Sequence, residues 1–129
     1  MVLAPSLIAA VGILLLGYLV IDVAESSLKG KNPRNGSYGI RTRETKKSDV
    51  AWSEGHKKAA PILKSTGIVS IGIAAVLIVV AIFLNSYPIF AIIVGALGYI
   101  VILAGLIRAA IVANSAARRI NEMEGVKND

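Results

Sequence analysis

The chain has 129 residues, 55% of them hydrophobic, and carries 14 Lys and Arg against 8 Asp and Glu, a formal net charge of +6. It has no cysteine, which excludes disulfides, thiol chemistry and cysteine-ligated metals. The apolar residues come in blocks rather than at helical or strand spacing, and blocks of roughly 18 or more read as membrane spans, so the basic excess points to an anionic membrane leaflet rather than to nucleic acid.

The first block runs from Leu3 to Val23, with its strongest core between Ile8 and Ile21. A secretory leader competes with that reading. No Lys or Arg precedes the block, however, and Asp22-Val-Ala24 is a poor cleavage region, which favours an uncleaved helix. The second block, 61–84, opens on Pro61, a residue suited to the first turn of a helix where its missing N–H costs little. The third, 88–110, continues as helix through Ala113 into a tail over 113–129, which Gly125 is expected to end. Between the second and third blocks Asn85-Ser-Tyr-Pro88 is a short turn that forces an antiparallel hairpin, and Tyr87 sits where interfacial aromatics are expected. The expected fold is an all-α membrane protein with three transmembrane helices and a long basic loop, 25–60, between the first two.

Orientation follows from the basic residues. The loop and the start of the second span hold Lys29, Lys31, Arg34, Arg41, Arg43, Lys46, Lys47, Lys57, Lys58 and Lys64; the end of the third span and the tail hold Arg108, Arg118, Arg119 and Lys127. Neither the stretch before Leu3 nor the Asn85 turn holds any. The positive-inside rule places loop and tail in the cytoplasm and the N-terminus outside.

Small residues mark where helices approach in lipid, since packing rather than hydrophobicity drives association there. In the third block Ala91, Gly95, Gly98, Gly105, Ala109 and Ala116 follow one alternating three–four seam, with Ile102 and Val112 between them; the second block offers Gly67, Ala74 and Ala81. The seam fits a contact within the chain or with another subunit. Asp22, Lys64 and Arg108 each lie about 20 residues from the outer end of their helix, which puts them in one interfacial layer. Pairing of Asp22 with Arg108 or Lys64 would tie the bundle at the base of the loop; independent snorkelling into water is the other reading.

Nearly all the chemical character sits in the loop. Asn32-Pro-Arg-Asn-Gly36 is turn chemistry, Gly39 permits an unusual φ or close approach, and Arg41 can grip a carboxylate, a phosphate or a carbonyl. Ser48 is suited to cap a helix, with Asp49 favouring its dipole. A short helix from Asp49 to Ala59 would align Trp52, His56 and Ala59 on one face, flanked by Lys57 and Lys58, with Trp52 at the headgroup interface. His56 is the single histidine, and neither a triad partner nor a second metal ligand is evident from spacing, so no catalytic residue, metal or cofactor is assigned.

The run Asn35-Gly-Ser-Tyr-Gly-Ile-Arg-Thr42, followed by Thr45, Ser48, Trp52 and His56-Lys-Lys-Ala-Ala-Pro61, resembles the signature of the bacterial SdpI family of multi-pass membrane proteins. The family pattern is N-x-x-x-G-I-R-T-x-x-T-x-x-S-x-x-x-W, and every one of those positions is matched. The resemblance implies a multi-pass protein of the bacterial plasma membrane, and the lack of a triad partner or second metal ligand for His56 makes a non-enzymatic role the expected one. The family's namesake is an immunity protein that protects a producing cell from its own toxin and recruits a transcriptional repressor. The implied partners are therefore membrane lipids of the anionic inner leaflet, another membrane protein or a peptide toxin, and a cytoplasmic regulator, with no direct nucleic-acid contact. A small accessory subunit of a larger membrane complex is the alternative. For Asn35, Gly39, Arg41, Thr42, Thr45, Ser48, Trp52 and His56 two roles stand open: a partner-binding site, or residues that fold the loop into a cap on the bundle.

Overall fold

In the computed structural model, which describes residues 3–34, 36 and 38–127, the chain forms three helices, α1 (Leu3–Leu28), α2 (Asp49–Phe83) and α3 (Pro88–Lys127). Each is long and apolar enough to cross a membrane, and only 28%, 33% and 22% of their most apolar windows are buried within the chain. The remainder, including Leu15, Ile68, Val76, Ile93 and Leu103, faces outward, as expected of helices that meet lipid.

α1 outruns its apolar block by more than a turn and closes at Gly30. That residue adopts φ +66°, and the amides of Gly30 and Lys31 donate to the carbonyls of Ser27 (3.2 Å) and Ser26 (2.8 Å). This is a Schellman closure, which satisfies the last carbonyls of the helix. α2 begins as its sequence suggests: Ser48 is extended and its hydroxyl accepts from the Ala51 amide at 3.0 Å. Pro61, expected in a first turn, instead lies well inside α2. A proline there removes one helical hydrogen bond and costs about 3 kcal/mol. The turns ahead of it are held regardless, because Ala51, Trp52, His56, Ala59 and Ala60 are all buried against the rest of the chain. Pro88 does occupy the first turn of α3, after a turn closed by Tyr87 N–H to Leu84 C=O at 2.8 Å. α3 runs on past Gly125, so that glycine is not its end.

α2 packs along both of its neighbours, whereas α1 and α3 touch only briefly. The contacts are made through small residues. A Cβ on Gly67 would meet the Gly17 carbonyl of α1 at 2.6 Å, and one on Gly98 would meet Ile13 of α1 at 2.6 Å. Gly105 lies directly against Thr66, and Gly95 packs on Leu77. Ala74, Ala81, Ala91 and Ala109 are buried too. Towards the end of α3 the buried positions are Ala113 and Ala117, while Ala116 is only half-buried. The alternating three–four seam slips there because a straight helix of 3.6 residues per turn drifts about 20° per seven residues.

Candidate functional site: a cap built from the loop motif

The loop folds over the ends of the helices; of its motif side chains Thr45, Trp52 and His56 are buried, Thr42 and Ser48 are half-buried, and Arg41 stays exposed. Trp52 is 2% exposed and donates its indole N–H to the Asn32 carbonyl at 2.8 Å. It is therefore a buried pillar of the cap and not a residue at the headgroup interface. One turn on, His56 lies against it, ring centroids 4.1 Å apart. Backbone groups occupy both imidazole nitrogens. Nε2 accepts from the Ile40 amide at 2.7 Å, which leaves the proton on Nδ1, 2.8 Å from the Trp52 carbonyl. Burial lowers the His56 pKa from its ordinary value, and the bond to the Trp52 carbonyl opposes that shift only in part. A neutral imidazole with both nitrogens engaged has no free lone pair for a metal or a general base.

Gly39 explains how the loop approaches this pair. Its φ is +142°, a conformation that side-chain-bearing residues rarely adopt. Arg41 lies over the tryptophan ring, 5.9 Å from its centroid, and donates to the Gly36 carbonyl. Its hold is thus on a backbone carbonyl and an aromatic face. The carboxylate of Asp49 is taken by Arg34 at 2.9 Å, and Arg34 also donates to the Lys46 carbonyl.

Thr45 is the buried knot of the turn that follows. Its hydroxyl donates to the Ile40 carbonyl at 2.8 Å and accepts from the Thr42 amide at 3.0 Å, while the Thr42 hydroxyl reaches it at 3.2 Å. Gly39, Arg41, Thr42, Thr45, Ser48, Trp52 and His56 thus converge on one structure; Asn35 lies outside the described residues.

The expected charge layer is wired differently. Asp22 accepts from the Tyr38 hydroxyl at 2.7 Å, and Lys64 pairs with Glu25 at 2.6 Å. Arg108 has no carboxylate within 4.0 Å among the described residues. The Lys64 bond lowers the Glu25 pKa, and the Asp22 bond raises that of Tyr38. α1 is therefore tied to the loop and to α2 by two separate pairs, neither of which joins the three expected charges.

Several participants carry no motif. Asn121 donates to the Glu44 carbonyl at 3.1 Å and to its carboxylate at 2.9 Å, and Asn114, two turns earlier, accepts from the Glu44 amide at 3.2 Å. Lys47 sits on the same carboxylate at 2.9 Å. The Lys47 bond, then that of Asn121, lowers the Glu44 pKa. Gly55 lies beneath this clamp, where a Cβ would come 2.9 Å from the Ala113 carbonyl. Two asparagines on one face of α3 were the available signal; their partner in the loop was not readable.

The SdpI/YfhL protein family model matches residues 31–113, a span that begins in the cap and ends where α3 passes Gly55. The chain belongs to this family. No curated protein and no solved structure matches it. The SdpI match covers more than half of the chain, including the whole motif, α2 and α3 up to Ala113, so the motif residues lie within it while Asn114 and Asn121 of the clamp lie beyond it.

Proposed function

We propose that this SdpI-type protein serves an immunity or signalling role in the bacterial plasma membrane, without catalysis. Its N-terminus lies outside and its cap and tail lie in the cytoplasm. The observation that carries this reading is the inward engagement of the motif. With Thr45, Trp52 and His56 buried and bonded within the chain, the cap presents outward chiefly its basic residues. Lys31, Arg43, Lys46, Lys58 and Arg119 are exposed and have no carboxylate within 4.0 Å among the described residues. Such a surface suits anionic headgroups and an acidic face of a cytoplasmic regulator. The motif residues themselves act as fold determinants.

A direct test deletes the gene and exposes the mutant to culture fluid of its parent strain. Immunity requires that the mutant is killed and that the chain supplied in trans restores survival. Orientation is checked with a membrane-impermeant maleimide on intact cells, which should label Ser86→Cys and not Lys46→Cys.

A slot of about 260 Å³ between α1 and α3, lined by Ser6, Ala9, Ala91, Gly95 and Tyr99 among others, favours the second reading, an accessory subunit. Small residues there would let a further helix approach closely. Purification in gentle detergent separates the two readings: a stoichiometric membrane partner in unstressed cells supports the subunit.

A further inference from the structure

We propose that His56 is an acid-released latch on the loop segment from Tyr38 to Arg41. This inference is independent of any immunity role. Among the described residues one hydrogen bond joins the segment to α2: Nε2 of His56 accepts from the Ile40 amide at 2.7 Å. A proton added from water at Nε2 turns that acceptor into a donor, so two N–H groups then face one another and the bond is lost. The other nitrogen cannot compensate, since it already lies 2.8 Å from the Trp52 carbonyl. Gly39 leaves no slack either: a Cβ built there would sit 2.9 Å from Nε2, so the segment cannot slide while it remains seated.

The surroundings favour release over accommodation of the charge. His56 is 1% exposed. It shares a cavity with Arg34 and Asp49, which already pair at 2.9 Å, and Arg41 lies on the Trp52 ring stacked against it. α1 contributes only the neutral Ser27 to that cavity, and α3 contributes nothing. Asp49 is thus already engaged, and two guanidiniums remain nearby. Burial acts in the same direction, lowering the pKa of the latched ring.

Release has a defined consequence. Tyr38, Gly39 and Ile40 also wall an apolar slot of about 200 Å³ whose buried side is Leu63. Lifting the segment uncovers Leu63, which is 1% exposed in the latched form. The Tyr38 hydroxyl stays bonded to Asp22 and the Ile40 carbonyl to Thr45, so the segment bows outward between these two anchors and does not come away entirely.

Linkage sets the size of the effect. The latched form is fully favoured above the ordinary histidine value of about 6.5, and opening increases about tenfold per pH unit below it until the latched ring itself protonates. The test uses the full ¹⁵N-labelled chain in lipid nanodiscs from about pH 8 to about pH 5. Amide exchange at Ile40, corrected for intrinsic rate, should lose protection about tenfold per pH unit below about 6.5, with Leu77 in mid-α2 unchanged. Protection at Ile40 that stays flat, or that falls together with Leu77, overturns the latch. His56→Gln offers an acceptor that does not titrate and should abolish the slope; a slope that persists places the proton elsewhere and refutes the assignment. Should that variant not fold, the wild-type ring decides. Its Nε2 must be an unprotonated acceptor at about pH 8, and the ring must titrate below about 6.5, at a lower pH than the onset of the Ile40 loss; a ring that is already imidazolium at neutral pH, or that titrates at or above about 6.5, contradicts the proposal.

Discussion

Gly39 lies so close to Trp52 that a Cβ on it would meet ring atoms at 2.6 and 2.8 Å. With φ at +142°, the position excludes a side chain twice, once by backbone conformation and once by contact. Gly39→Ala should therefore destabilise the folded chain by more than about 2 kcal/mol, combining positive-φ strain with overpacking. Thermal unfolding in detergent, followed by Trp52 fluorescence, measures it.

Thr45 separates hydrogen bonding from shape. Thr45→Val keeps the volume but leaves the Ile40 carbonyl and the Thr42 amide without their buried partner, at a cost of about 1–3 kcal/mol. Thr45→Ser keeps the hydroxyl and loses one methyl, about 1 kcal/mol. The serine variant should melt above the valine variant; the reverse order would mean that the methyl packed on Gly55 matters more than the knot of bonds.

Two glycines make a paired test of the helix seam. Gly105 lies against Thr66, where a Cβ would approach the threonine Cβ to 2.8 Å, whereas a Cβ on Gly72 meets nothing within 4 Å. Gly105→Ala should cost about 1–3 kcal/mol by pushing α3 from α2. Gly72→Ala should be neutral or stabilising by up to about 1 kcal/mol through helix propensity. Unfolding midpoints in the same detergent compare them.

The clamp between the loop and α3 depends on acid through Glu44, whose pKa Lys47 and Asn121 hold below 4.5. A carboxylate with a depressed folded-state pKa contributes stability that is fully present above its unfolded value and is lost as pH falls through the folded one. Attachment of the α3 end should thus be intact above about pH 4.5 and weaken below it. Asn121→Ala should remove part of that dependence, read as proteolytic release of the tail at each pH.

Much of this was legible in the chain. The three spans stand out because each apolar block carries a charge only near one end, and Ser48-Asp49 announces the start of α2 by its own capping chemistry. What failed were local rules overruled by tertiary contacts. Pro61 suits a first turn, but the buried face from Ala51 to Ala60 carries the helix through it. Trp52 beside lysines suggests an interface, yet its indole N–H found a partner 20 residues away in Asn32. Asp22 and Lys64 do occur near the loop's base, but their partners, Tyr38 and Glu25, were closer than the charges expected to pair. The Asn121–Glu44 clamp spans 77 residues, and no spacing rule reaches across such a separation.

The cap requires Thr45, Trp52 and His56 to face inward, and the absence of native cysteine allows that to be read one residue at a time. Thr45 is buried and its neighbour Lys46 is exposed. In folded, detergent-solubilised protein, Thr45→Cys should resist maleimide until the chain is denatured, while Lys46→Cys labels at once. Equal labelling of the two in folded protein would mean that the motif lies open to solvent, and the cap would be wrong.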